Sequence, residues 1–122
     1  MADNVLFKIE QIIVDGQALA FEDGTGSLSG AARFANRVVP SASGDDFVRR
    51  ERVATTLTMK LQFGNNMVPQ DFASMHNVQI TARDQNTGRR AMMPKCSFGE
   101  MGAIGGGSVD VTFNVLATIQ WL

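Results

Sequence analysis

Apolar and polar residues alternate most regularly near the C-terminal end of the chain. Val109, Val111, Phe113, Val115, Ala117, Ile119 and Trp121 hold every odd position, against Asp110, Thr112, Asn114, Thr118 and Gln120. Leu116 alone breaks the alternation. A period of two sends successive side chains to opposite faces of a pleated strand, so the spacing predicts one half-buried strand over 109–121. At ~3.3 Å per residue it would run roughly 40 Å, about twice the usual strand. Residues 53–63 repeat the pattern, with Val53, Leu57, Met59, Leu61 and Phe63 alternating with Thr56, Thr58, Lys60 and Gln62. A less regular strand is expected over 6–14. It ends at Asp15-Gly16, a turn pair that favours a hairpin into 18–21.

Residues 78–83 alternate and then meet Asn86-Thr87-Gly88, a second hairpin signal. The expected partner, 91–98, contains Pro94, which belongs at an edge or a bulge because it cannot donate to a ladder. Residues 33–39 form a further candidate strand. One short helix is expected over 69–76, with Pro69 in its first turn and Asp71 near its positive N-terminal end. Asn65 or Asn66 would cap it or close the preceding turn. Phe72 and Met75, three residues apart, would plug the open end of a sheet. The Gly-rich stretches 24–30 and 99–107 and the polar stretch 41–51 are read as loops. The expected fold is therefore mainly β, a small barrel or sandwich of six or seven antiparallel strands with one flanking helix. No internal repeat or linker divides it, so 1–122 is read as a single domain.

With 44% hydrophobic and 19% charged residues in 122, the chain has the composition of a packed globular core. Eleven Lys and Arg stand against twelve Asp and Glu, without the basic excess of a dedicated nucleic-acid binder. One Cys and one His exclude an internal disulfide and a Cys/His zinc site within one chain. No basic segment followed by an apolar run opens the sequence, and apolar runs reach only four or five residues. Neither a secretory signal nor a membrane span is expected, and folding is expected in a cytosol-like compartment.

The search for chemistry returns structural readings. Gly24, Gly26 and Gly30 make a G-x-G-x-x-x-G string, one residue off the dinucleotide fingerprint and with no long helix behind it. The glycines of 102–107 suit either a tight connection or a loop that orders at a subunit contact. His76 has no neighbouring nucleophile elbow and reads as structural. Cys96 reads as a small buried hydrophobe, and the seven Met as core and interface filler. Asp45-Asp46 beside Arg49, Arg50 and Arg52 does not supply the convergent oxygens a metal requires. No catalytic constellation survives, so the chain is read as non-enzymatic and free of cofactors.

The order of these features resembles the tail tube protein of contractile-tailed bacteriophages, a family that shares its fold with the type VI secretion tube. The carrying features are Val14-Asp15-Gly16 at the end of a first strand, the polar stretch before the long strand 53–63, and the short helix 69–75. They continue through 77–83 with its Asn86-Thr87-Gly88-Arg89 turn, and close with 98–102, the glycine run and the final alternating strand. Gln120-Trp121-Leu122 has no counterpart in that pattern.

The resemblance implies hexameric rings stacked into a tube, with a sheath outside and tape-measure protein and genomic DNA passing through the lumen. The subunit would be made in a host cytoplasm, reside in the virion tail and bind no membrane. A secretion or bacteriocin-like tube is the sibling reading, and a small β-barrel ligand-binding module the alternative from another class. In a tube, the polar alternates Thr56, Thr58, Lys60, Gln62, Asp110, Thr112 and Asn114 are the lumen-facing candidates. The stretch 40–52 is the expected subunit or ring contact. Phe47 and Val48 would be its apolar anchor, with Asp45, Asp46, Arg49, Arg50 and Arg52 its charged rim.

Overall fold

The two alternating segments pair with each other. In the computed structural model, which describes residues 5–64 and 67–122, they form β6 (Thr55–Gln62) and β9 (Ser108–Val115). These run antiparallel in unbroken register, from Thr55 opposite Val115 to Gln62 opposite Ser108. Leu57, Met59 and Leu61 are thereby buried beside Phe113, Val111 and Val109.

The remaining elements extend this pair on both sides. They are β1 (Ile9–Val14), β2 (Gln17–Leu19), β3 (Ser27–Ser29), β7 (Val78–Asp84), β8 (Arg90–Met101) and β10 (Gln120–Trp121), with the helix α1 (Pro69–Ala73). The sheet runs β2-β1-β7-β8-β9-β6-β3, with β10 added to β8. Every pairing is antiparallel. The sheet curls around Ile12, Leu57, Leu61, Ile80, Met93 and Phe113, all fully buried. It is not a closed barrel. Among the described residues, the segment after β2 meets β6 through the bridge Phe21↔Leu61 and flanking bonds from Glu22 N–H to Lys60 O (2.8 Å) and Gln62 N–H to Ala20 O (2.9 Å).

Local irregularities explain where the periodicity misled. The expected strand 109–121 stops at Val115 and restarts at Gln120, and both pieces lie along β8. Between Met93 and Cys96, β8 carries one more residue than β7, a bulge at Pro94-Lys95. Pro94 has no N–H to keep a ladder going, so the partner strand breaks opposite it, with the exposed Leu116 at the break. A second bulge, near Glu10 in β1, shifts the buried set from Ile9 to Ile12 and Val14. That shift is why 6–14 alternates poorly. The stretches read as Gly-rich loops also contribute strand: β3 lies inside 24–30, and β8 continues through Gly99 to Met101.

The Asp15-Gly16 turn forms as expected, with both residues at positive φ (47° and 85°), and leads into β2. The helix is shorter than expected. It starts at Pro69 behind Val68, which offers no side-chain cap, and Asn65 and Asn66 lie outside the described residues. Of the helix residues Phe72 alone is buried, its ring 6.4 Å from Phe98, which in turn meets Phe113 edge-on at 5.9 Å. The helix thus lays Phe72 against the sheet, while Met75, the second expected plug residue, lies beyond its end and is half-buried.

Two groups tie loops to this body. Buried Asp84 accepts hydrogen bonds from the Lys8 N–H (2.8 Å), the Thr87 N–H (2.9 Å) and the Thr87 hydroxyl (2.6 Å). The Thr87 side chain first, then the Lys8 backbone, hold its carboxyl down at about 2. Gly30, at φ +69°, sits with Ala54 O only 2.3 Å from where a Cβ would lie, and its carbonyl accepts from the Thr55 hydroxyl at 2.8 Å.

Replacing Gly30 by Ala is therefore expected to cost at least about 1 kcal/mol, while Gly102→Ala, whose Cβ meets nothing closer than 3.6 Å, is benign. Urea midpoints at unchanged slope measure the difference. The Asp84 contribution is present above the unfolded carboxyl value near 4 and is lost as pH falls towards 2. Thermal unfolding between pH 5 and 2 should show that loss, and Asp84→Asn should flatten it. Parallel pH profiles for the two proteins would remove Asp84 from the account.

Candidate functional site

Two surfaces gather the residues singled out by the sequence. The first is the outer face of the β6–β9 pair. Register places Thr56 opposite Asn114, Thr58 opposite Thr112, and Lys60 opposite Asp110. Gln62 faces Ser108, which sequence reasoning missed because it lies at the end of the glycine run. All seven expected residues thus lie on one face, turned away from the core, with Lys60, Gln62, Asp110 and Asn114 exposed and the three threonines half-buried. The Lys60 ammonium lies 3.8 Å from Glu22, and the Thr58 hydroxyl reaches Ser27 O at 3.5 Å. Hydroxyls, amides and opposed charges give this face no strong field of either sign.

The second surface corrects an expectation. Residues 40–52 are not a loop. Phe47 begins a strand, β5 (Phe47–Arg52), paired over six positions with β4 (Phe34–Val39), and only 40–46 form the turn. Val38-Val39 and Phe47-Val48 flank Pro40, Ser41, Gly44 and Asp46, an apolar–turn–apolar symmetry that marks a hairpin once both sides are taken together. This hairpin is a separate two-stranded sheet. It is attached at its root by Val53 N–H to Arg33 O (2.7 Å), Arg33 N–H to Gly30 O (3.0 Å) and the Arg33 guanidinium to the Thr118 hydroxyl (3.2 Å).

Phe47 and Val48 do not form one anchor. Adjacent residues of a strand point to opposite faces, so Phe47 joins Val39 on one side and Val48 joins Val38 on the other. Phe47, Val48 and Val38 are 66%, 67% and 64% exposed. Sequence reasoning missed Val38, Val39 and Phe34 as members of this surface. The charges divide in the same way. Glu51 binds Arg37 at 3.0 Å and also pairs with Arg49, on the Phe47 side, and the Arg37 bond first holds its carboxyl below the usual value. Arg50 stacks 4.0 Å above Phe34 on the other face, which it shares with Arg52. At the turn, Asp46 accepts from the Ser41 N–H at 3.4 Å, next to Asp45.

His76 is exposed, with Nδ1 3.3 Å from the Ser97 hydroxyl. Cys96 is fully buried, and burial pushes its thiol up to about 12.

No family model and no curated protein matches this sequence. Solved structures do. The chain is similar to a chain of the PVC sheath-tube complex of an extracellular contractile injection system in its extended state. That likeness has a TM-score of 0.64 at 10% identity, over 99% of this chain and 92% of that one. A chain of the sheath/tube terminator of a PVC injection system matches at TM-score 0.65 and 10% identity, over 100% and 98%. At this identity the likeness is one of fold, and it agrees with the tail-tube-like fold expected from the order of the sequence features.

Proposed function

We propose that this chain is a non-enzymatic structural subunit that forms hexameric rings and stacks them into the tube of a contractile device. The carrying observation is the β4–β5 hairpin. An isolated two-stranded hairpin is marginal in water, and this one leaves apolar pairs uncovered on both faces instead of packing them on its own body. A second copy supplies the missing cover, with Phe47, Val48 and their partners as anchors and Asp45, Asp46, Arg49, Arg50 and Arg52 around them. The β6–β9 outer face, with Thr56, Thr58, Lys60, Gln62, Asp110, Thr112 and Asn114, then lines the lumen. A wall without a basic excess lets nucleic acid slide, which suits a phage tail that passes tape-measure protein and DNA inside a sheath. The subunit is made in the host cytoplasm and functions in the virion tail. The contractile injection systems among the structural neighbours favour a second reading, the tube of an injection device with a different cargo. Capsid genes beside this one would decide for the phage.

Electron microscopy of the purified chain is expected to show rings or tubes with a central channel; single small particles at high concentration would refute the proposal. Phe47→Ser should leave subunit folding intact, because Phe47 is largely exposed there, and weaken each contact by roughly 2 kcal/mol. Tubes of normal length and salt resistance from that variant would show that the hairpin is a bystander.

A further inference from the structure

The subunit carries a hole as well as a knob. A recess of about 440 Å³ opens between the segment before β1, the β3 region and the C-terminal strand, lined by Phe7, Lys8, Gly26, Leu28, Ala31 and Trp121. Its volume is in the lower part of the range that holds small ligands, about 300–1,000 Å³. The walls are mixed, with Phe7, Leu28, Ala31 and Trp121 beside Lys8 and Ser27, and only partly covered: Trp121 is 42% exposed and meets Phe7 edge-on at 5.6 Å. Two cations stand at this aromatic end. Lys8, on the wall, makes a solvent-exposed pair with Asp23 at 3.2 Å, and Arg89, from the neighbouring recess at Phe7, lies 4.9 Å above the Trp121 ring. An exposed pair of that kind is worth little and exchanges readily.

We infer that this recess receives the hairpin tip of another copy of the chain, with Phe47 filling the apolar space and Asp45 and Asp46 meeting Lys8 and Arg89. The inference rests on the tube reading and names the surface that the hairpin engages. Complementarity is one part of the reasoning: two acids precede an exposed aromatic at the tip, while Lys8 lines the hole and Arg89 stacks on the Trp121 that walls it. Position is the other. Leu28 and Ala31 stand just before β4, so the recess lies at the root of the hairpin, whose six-residue strands hold the tip roughly 20 Å away. A tip cannot reach its own root without unpairing β4 from β5. Knob and hole therefore join different copies, and each copy offers the next its own free tip. Such a heterologous contact propagates and does not close on a pair, as stacking requires. It also gives Trp121, which the family resemblance left without a role, a place in assembly.

Cysteine pairing tests this. Asp45→Cys and Ser27→Cys place thiols on the tip and on the recess wall, and native Cys96 is buried and unreactive. Oxidised tubes of the double variant are expected to run as a ladder of covalent multimers, while each single variant gives dimers at most. Assembled tubes without a ladder, or a bridge formed within one chain, would overturn the assignment. Should the cysteines themselves block assembly, Asp46→Lys is expected to abolish stacking and Lys8→Asp to restore it in the double variant. Loss without restoration places the hairpin on another surface and leaves the tube reading standing. A wild-type chain that never assembles would refute that reading itself.

Discussion

The antiparallel ladder between β6 and β9 is the constraint on which everything else depends. Its register is unbroken over the length of both strands, and each strand alternates strictly. A slip by one residue would turn Thr56, Thr58, Lys60, Asp110, Thr112 and Asn114 into the core, at about 1–3 kcal/mol for each unpartnered polar group. Burial of Leu57, Met59, Leu61, Val109, Val111 and Phe113 therefore fixes the polar face by default. One pattern specifies both the core of the subunit and its polar outer face, on which Lys60 and Asp110 offset each other.

The second sheet follows a different logic. The β4–β5 hairpin is held by its own ladder and by bonds at its root, and Gly30 sets the direction in which it leaves the body. Internal ion pairs with Glu51 stiffen one face without covering Phe47 or Val39. A chain with a small, well-filled core thus keeps about a sixth of its length out of that core. In an isolated subunit that arrangement leaves apolar surface exposed; in the proposed stack the same surface would become contact.

How much of this the sequence revealed depends on whether the information was local. Residues 55–62 and 108–115 were legible because their period of two is decided by burial on one face. The Asp15-Gly16 and Asn86-Thr87-Gly88 turns were legible because few residues tolerate those backbone angles. The break after Val115 was not, because its cause is the Pro94 bulge on a different strand. Nor was β5, since 47–52 ends in four consecutive charged residues with no buried face and shows itself as strand only against Val38 and Val39. The expected anchor pair Phe47-Val48 divides between two faces for the same reason: side-chain direction follows from pairing, which composition does not carry. The recess at Phe7, Leu28 and Trp121 joins three distant segments and left no local trace.

The central claim is that the hairpin completes its packing only in the assembly. Amide hydrogen exchange, measured residue by residue on dispersed subunits and on assembled tubes, tests it most directly. The account predicts that residues 34–39 and 47–52 exchange rapidly in the subunit, while Leu57, Val111 and Phe113 are protected, and that assembly slows the hairpin to the level of the core. Hairpin amides already protected in the dispersed subunit, or still exchanging freely in intact tubes, would contradict it.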